Sequence, residues 1–190
     1  MSPAGGASAD PDEPRESYQV ATDGACKGNP GPTGWAWVGE DGEWAAGSLS
    51  QGTNNVGELL ALLAAIRDNL RVRRLTILAD SRYVIDTYQT WMDGHARRGW
   101  ITAAKKPTAN RDLLEQLIAV RQLRRDAGLP DVHLVHVRGH AGHVLNSWAD
   151  ERAVRAAAHG ALGEELIWSS RRGLERLDVS AAPGRRSPRM

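Results

Sequence analysis

Only one cysteine, Cys26, occurs among the 190 residues. That scarcity excludes a disulfide within the chain and a zinc site built from several thiolates, and a reducing compartment is the plain expectation. No apolar run approaches the roughly 18 residues that a membrane-spanning helix needs. Residues 1–17 are rich in Ser, Pro, Gly, Ala and acids and lack the apolar centre of a signal peptide. The expected location is therefore the cytoplasm, with no membrane partner. Neither sign of charge prevails: the net charge is +1, so the whole-chain balance does not announce a nucleic-acid partner. Phenylalanine is absent while tryptophan occurs seven times, a bias for which the sequence offers no physical reason. There is no internal repeat.

What remains is an ordinary globular composition, 41% hydrophobic and 25% charged, in a chain long enough for one domain with a real core plus tails. Residues 1–16 have nothing to bury and are expected to be disordered; 17–160 form the domain; 161–190 lose periodicity and are expected to be a largely disordered extension with a basic end. Within the domain, 18–22 reads as a strand, then a glycine-rich loop, a second strand at 35–38, an Asp41-Gly42 turn and a third strand at 44–48 paired antiparallel to the second. Leu59, Leu62, Leu63, Ile66 and Leu70 repeat at helical spacing behind candidate caps in 53–55. A strand is expected over 75–79, then a helix from Ser81 to about Trp91 and a loop from Met92 to Thr108. A helix capped by Asn110 follows, burying Leu113, Leu114, Leu117, Ile118 and Leu123. A strand over 132–137 and a helix over 145–158 complete the order. A hairpin followed by αβ units predicts an α/β fold with a mixed five-stranded sheet flanked by helices.

Four acids sit where these elements end or begin. Asp23 closes the first strand, Asp80 closes the fourth, Glu58 lies in the first turn of the leucine-rich helix and Asp150 lies early in the last helix. Packed into one domain, they can meet at one end of the sheet. Like charges about 4 Å apart repel by roughly 4 kcal/mol per pair at an effective dielectric near 20. Such a nest holds together only if it is partly protonated or binds a cation, and carboxylate oxygens suit Mg²⁺ or Mn²⁺. Any single acid is most simply a solvated surface charge; four in these contexts are not.

Five stretches taken together resemble bacterial type 1 ribonuclease H. They are 22–32 (TDGACKGNPGP), 53–55 with Glu58-Leu59, 79–84 (ADSRYV), Arg98-Gly99-Trp100 with Lys105-Lys106-Pro107, and 137–143 (VRGHAGH) with Asn146 and Asp150. They occur in that family's order and cover about residues 18–158. The resemblance implies a ribonuclease H-like fold and an endonuclease that cleaves the RNA strand of RNA–DNA hybrids with two divalent metals. Asp23 would bridge the metals, with Glu58, Asp80 and Asp150 flanking. It gives His140, between two glycines, an auxiliary part in proton transfer or product release. His143, His133 and His136 read as structural or solvent-facing.

The resemblance places Cys26, Asn29 and Ser81 on the RNA side. Thr53 would hold a phosphate, and Asn54 and Asn55 would reach the minor groove, where 2′-hydroxyls mark RNA; helix capping alone is the simpler role for the asparagines. The loop 28–34 lacks the Gly-Lys-Ser/Thr ending of a P-loop. Between Trp91 and Arg111 stand Arg97, Arg98, Lys105, Lys106 and Arg111 against one acid, Asp93, with Trp91 and Trp100 interleaved. This resembles the family's basic protrusion, which grips the DNA strand; an ordinary solvated loop is the alternative. The chain departs from the family at Val56-Gly57, where relatives usually carry Arg-Met, and at His95-Ala96, where an aromatic and a basic residue are usual. Weaker hybrid binding is the expected consequence. Nothing suggests obligate assembly, so a monomer is expected. The competing readings are a catalytically silent hybrid-binding module and another nuclease or ATPase of the same broad fold.

Overall fold

The computed structural model describes residues 15–138, 143–170 and 173–176. Its frame is one mixed sheet. β1 (Ser17–Cys26), β2 (Gly31–Gly39) and β3 (Trp44–Gly52) form an antiparallel meander, and β4 (Arg74–Ala79) and β5 (His133–His136) add in parallel beside β1. The strand order is β5-β4-β1-β2-β3, continued beyond β3 by β6 (Leu166–Ser169) and β7 (Gly173–Arg176). β1 is therefore central, covered on both faces, which is why Val20, Ala21, Thr22 and Asp23 are all buried rather than alternating.

Seven strands replace the expected five. β6 (Leu166–Ser169) pairs antiparallel with β3, and β7 (Gly173–Arg176) pairs with β6. Both come from the segment expected to lack order. Leu166-Ile167-Trp168 is too short to carry a readable alternation, and its strand state comes from the β3 edge it pairs with.

The two sheet faces differ. On one, α1 (Asn54–Asp68) and α4 (Arg111–Asp126) build the larger core with Leu59, Leu62, Ile66, Leu114 and Leu117. On the other lies α5 (Val144–Gly160), which buries Ala149, Ala153, Ala156 and Ala157. These small residues bring the helix so close that a Cβ on Gly34 of β2 would lie 2.0 Å from the Ala153 carbonyl oxygen.

Several element boundaries differ from the sequence reading. The helix capped by Ser81 runs as α2 (Arg82–Asp86), a π-helical turn (Thr87–Trp91) and α3 (Met92–Arg97), so the expected loop begins later. Met92 is fully buried and Arg121 pairs with Asp93, which together hold this extra turn on α4. Asn110 makes no side-chain cap; it sits at φ 57° and donates from Nδ2 to the Tyr83 hydroxyl at 3.2 Å. Leu123 is 58% exposed, because the buried stripe of α4 runs through Leu117, Val120, Arg121 and Arg124 instead. Arg124 is fully buried and donates to the carbonyl oxygens of Pro130 (3.0 Å), Leu70 (3.2 Å) and Arg73 (3.2 Å), joining the α1–β4 connection to the end of α4. Burial without a paired carboxylate holds its guanidinium below the ordinary arginine value. Among the described residues no helix is long and apolar enough to cross a membrane.

Candidate active site

The parallel strands β1 and β4 end side by side, with Thr22 opposite Ala79 in register. The next residue on each is an acid, so Asp23 and Asp80 emerge at the same edge. α1 crosses this edge with the Glu58 backbone against Gly24: a Cβ on Gly24 would lie 2.3 Å from the Glu58 nitrogen. Glu58 is the fifth residue of α1, one position beyond the first turn, and it is buried. Its position owes more to packing than to the helix dipole. Gly57 has its own reason: a Cβ there would meet the Gly34 carbonyl oxygen at 2.8 Å and Thr33 Cγ2 at 3.1 Å. Glycine at this position thus matches a tight crossing of α1 over β1 and β2.

Asp23, Glu58 and Asp80 each offer a carboxylate oxygen, all within 4.8 Å of one another. Asp150, on α5, completes the wall of the same pocket, about 200 Å³ in volume, together with Gly24, Asn54, Asn146 and Ser147. Asp23 is 6% and Glu58 4% exposed. Asp23 Oδ1 accepts a bond from the Gly24 N–H at 2.8 Å. Its carboxyl is nevertheless pushed up to about 8, first by burial and then by the charges of Asp80 and Asp150. Glu58 is held well above the ordinary carboxylate range, again first by burial and then by Asp23 and Asp80. Its Oε2 is buried with no hydrogen-bond partner among the described residues, as is Oδ1 of Asn146. Asp23, Glu58 and Asp80 could thus share a cation, with Asp150 on the same pocket wall.

Asn146 entered the sequence reading only as part of a matched stretch. Its spacing, four residues before Asp150 on one helix face, is the signal that puts both side chains in the pocket. His140 lies outside the described residues. His143 precedes α5 and makes no side-chain cap; His133 and His136 are exposed.

Around the pocket, Asn29 Oδ1 accepts from the Asn54 backbone N–H at 3.3 Å, tying the β1–β2 loop to the start of α1. Thr53 caps α1 through Val56 N at 3.2 Å, and Ser81 caps α2 through Val84 N at 3.3 Å. Asn54 and Asn55 are exposed. The Cys26 thiol lies 2.6 Å from the Gly28 carbonyl and accepts from the Thr33 hydroxyl at 3.2 Å, so it is engaged with its own loop. In the protrusion, Arg97, Arg98, Lys105 and Lys106 are exposed and form no ion pair among the described residues. Trp91 is 43% exposed, while Trp100, at φ 65°, packs on the core beneath the Arg111 guanidinium at 5.7 Å.

Comparison with known proteins gives one answer. The RNase H family model matches residues 15–158. A ribonuclease H from Rhodospirillum rubrum is 40% identical over 153 residues, covering 79% of this chain and 89% of the relative. A ribonuclease HI from Neisseria meningitidis serogroup A is 41% identical over 146 residues, covering 75% of this chain and 97% of the relative. Among solved structures, LC9-RNase H1, described as a type 1 RNase H with the type 2 active-site motif, superposes with a TM-score of 0.60 at 29% identity, over 88% of this chain and 80% of that one.

Proposed function

The chain belongs to the ribonuclease H family of RNA-cleaving nucleases, and from that premise we propose that it hydrolyses the RNA strand of RNA–DNA hybrids by two-metal, in-line displacement in the pocket of Asp23, Glu58, Asp80 and Asp150. The observation that carries this reading is the convergence of buried carboxylates, with a Glu58 oxygen left unpartnered. A buried, unpartnered carboxyl oxygen among other acids is costly unless a proton or a cation is its partner. The donors are hard oxygens only, which fits two Mg²⁺ ions, with Mn²⁺ as a substitute. When bound, the cations supply charge neutralisation at the attacking and leaving oxygens and a more acidic attacking water.

The protein's own groups do the rest. Asp23, which accepts from the Gly24 N–H, would hold the cations together with Glu58, Asp80 and Asp150. The Asn146 amide lines the pocket and orients what binds there. His140, which lies outside the described residues, would serve as the proton carrier. Cys26, Asn29, Thr53, Asn54, Asn55 and Ser81 take the RNA side, reading 2′-hydroxyls and phosphates along the link between the β1–β2 loop and α1. Arg97, Arg98, Lys105, Lys106 and the indoles of Trp91 and Trp100 take the DNA strand. The protein acts as a monomer in the cytoplasm.

Labelled RNA–DNA hybrid, RNA duplex and DNA duplex, each with Mg²⁺ and with EDTA, test this reading. The expected result is scission of RNA in the hybrid alone, abolished by EDTA. Cleavage of DNA duplex, or hybrid binding without any metal-dependent product, overturns it.

A further inference from the structure

Across α5 from the carboxylate pocket lies a second concavity of about 400 Å³. Trp44 of β3, Trp168 of β6, and Trp148, Arg152, Arg155 and His159 of α5 line it. The α5 residues follow at i, i+4, i+7 and i+11, so they share one helix face. β6 lies beyond the residues that the family model matches, so one wall of this groove is a feature of this chain outside the matched region.

The groove's chemistry is aromatic, with Arg152 and Arg155 beside one acid, Glu151. Trp148 is 43% exposed. The Arg152 guanidinium stands 5.1 Å from the centre of the Trp44 ring and donates to the Trp148 carbonyl at 3.2 Å. It has no carboxylate partner among the described residues. Arg155 pairs with Glu151 at 2.5 Å, but both are exposed, and such a pair exchanges readily for a phosphate. His159 is bound by Glu164 at 2.6 Å and packs on Trp168 with ring centres 4.8 Å apart, which stiffens the far wall.

We propose that this groove binds single-stranded nucleic acid, with a base stacked on Trp148 and the adjoining phosphates on Arg152 and Arg155. Its volume suits a nucleotide unit. An open indole beside one unpaired and one exchangeably paired guanidinium is the stacking-and-phosphate platform that such strands use without sequence preference. Two features favour a strand over an acidic peptide. A peptide needs the cations but not the free indole face. The groove also adjoins the proposed catalytic pocket: Ser147 lines that pocket and Trp148, the next residue, lines the groove. A strand that leaves the pocket over the first turn of α5 meets Trp148 next. This last link rests on the proposed function; strand binding by the groove does not.

The test is fluorescence anisotropy of a labelled 15-nucleotide oligothymidine in EDTA, with the full chain as wild type, Trp148→Ala and Arg152→Gln. Both side chains are at the surface of the groove, and far-UV circular dichroism checks that the variants fold. Trp148→Ala is expected to weaken oligomer binding about tenfold and Arg152→Gln severalfold. Affinity for a blunt hybrid and its Mg²⁺-dependent cleavage should stay within about twofold of wild type. Oligomer affinity unchanged in both variants overturns the proposal. An equal loss for blunt hybrid assigns Trp148 to the hybrid interface and also overturns it. Displacement of the oligomer by thymidine monophosphate at equal concentration, or more tightly by an aspartate-rich peptide, would assign the groove to a free nucleotide or a protein instead. A wild-type chain that binds the oligomer through Trp148 yet cuts no hybrid refutes the proposed function and supports this one.

Discussion

The carboxylate pocket draws on β1, β4, α1 and α5, four elements distant in sequence, and two of its four acids, Asp23 and Glu58, are almost wholly buried. The protrusion is a single excursion between Trp91 and Arg111, and its cations stand in solvent. One region gathers acids so closely that burial and mutual repulsion raise two of them, Asp23 and Glu58; the other spreads positive charge where water screens it. The difference teaches where precision is stored. Groups that must sit within ångströms of a reacting phosphate are set by the core, at the expense of the apo fold. Groups that need only track a backbone of regularly spaced phosphates can be held by a local turn, because a long-range field tolerates a displaced side chain.

The sharpest break in this contrast is Asp23→Asn. It should lower hybrid cleavage by at least about a thousandfold, roughly 4 kcal/mol of barrier, while hybrid affinity in EDTA stays detectable. Wild-type-like turnover in a single-turnover assay would remove Asp23 from the chemistry.

Next in size is a pH effect confined to the pocket. The Asp23 carboxyl rises from 3.8 to about 8 on folding, and Glu58 rises in the same sense. The folded state therefore binds more protons between those values. The stability this contributes is full below about pH 4 and is lost as pH rises through about 8, with a slope up to about 1.4 kcal/mol per pH unit for one such group. Denaturant titrations in EDTA should show this fall, and Asp23→Asn or added Mg²⁺ should flatten it. A metal-free stability that climbs from pH 5 to 8 contradicts the electrostatics described for the pocket.

Gly57→Ala tests the packing that sets the pocket. Helix propensity alone favours alanine by about 1 kcal/mol. The added methyl, however, would lie 2.8 Å from the Gly34 carbonyl oxygen, so a net destabilisation of about 1–2 kcal/mol is expected. Displacement of the adjacent Glu58 should lower kcat more than it raises KM. A variant as stable and active as wild type shows that α1 can retreat without consequence.

The smallest effect belongs to the protrusion. Arg97→Ala with Arg98→Ala should weaken hybrid binding about tenfold and lower the salt slope by about one per lost phosphate contact, with kcat at saturation nearly unchanged. An unchanged slope removes these two cations from the interface.

How much of this was legible follows from whether a residue's role is local. Asp23 and Asp80 could be read because each directly follows a short apolar run, and an acid at a strand end is a local pattern. Glu58 could be read in place but not in depth: its burial comes from the Gly24–Gly57 crossing, which no helical wheel contains. Arg124 was invisible as a core residue because arginine at the centre of a buried stripe is tolerated only by the carbonyls it meets, and those come from other segments. Asn110 reads as a cap by its type, yet Tyr83 claims its side chain. β6 escaped because its strand state is conferred by β3.

That last pairing has a consequence for solubility. β3 without β6 would expose a row of amides and carbonyls, an open template on which a second molecule could add its own strand and a third could follow. Here β6 occupies the Ala45–Gly47 stretch, and the Glu165 carboxylate takes the Ser50 N–H at 3.2 Å. Among the described residues the sheet then ends on β7, a four-residue strand, and short edge strands limit strand addition. A chain cut after Gly160 would keep every acid of the pocket and lose its protection against self-templated precipitation.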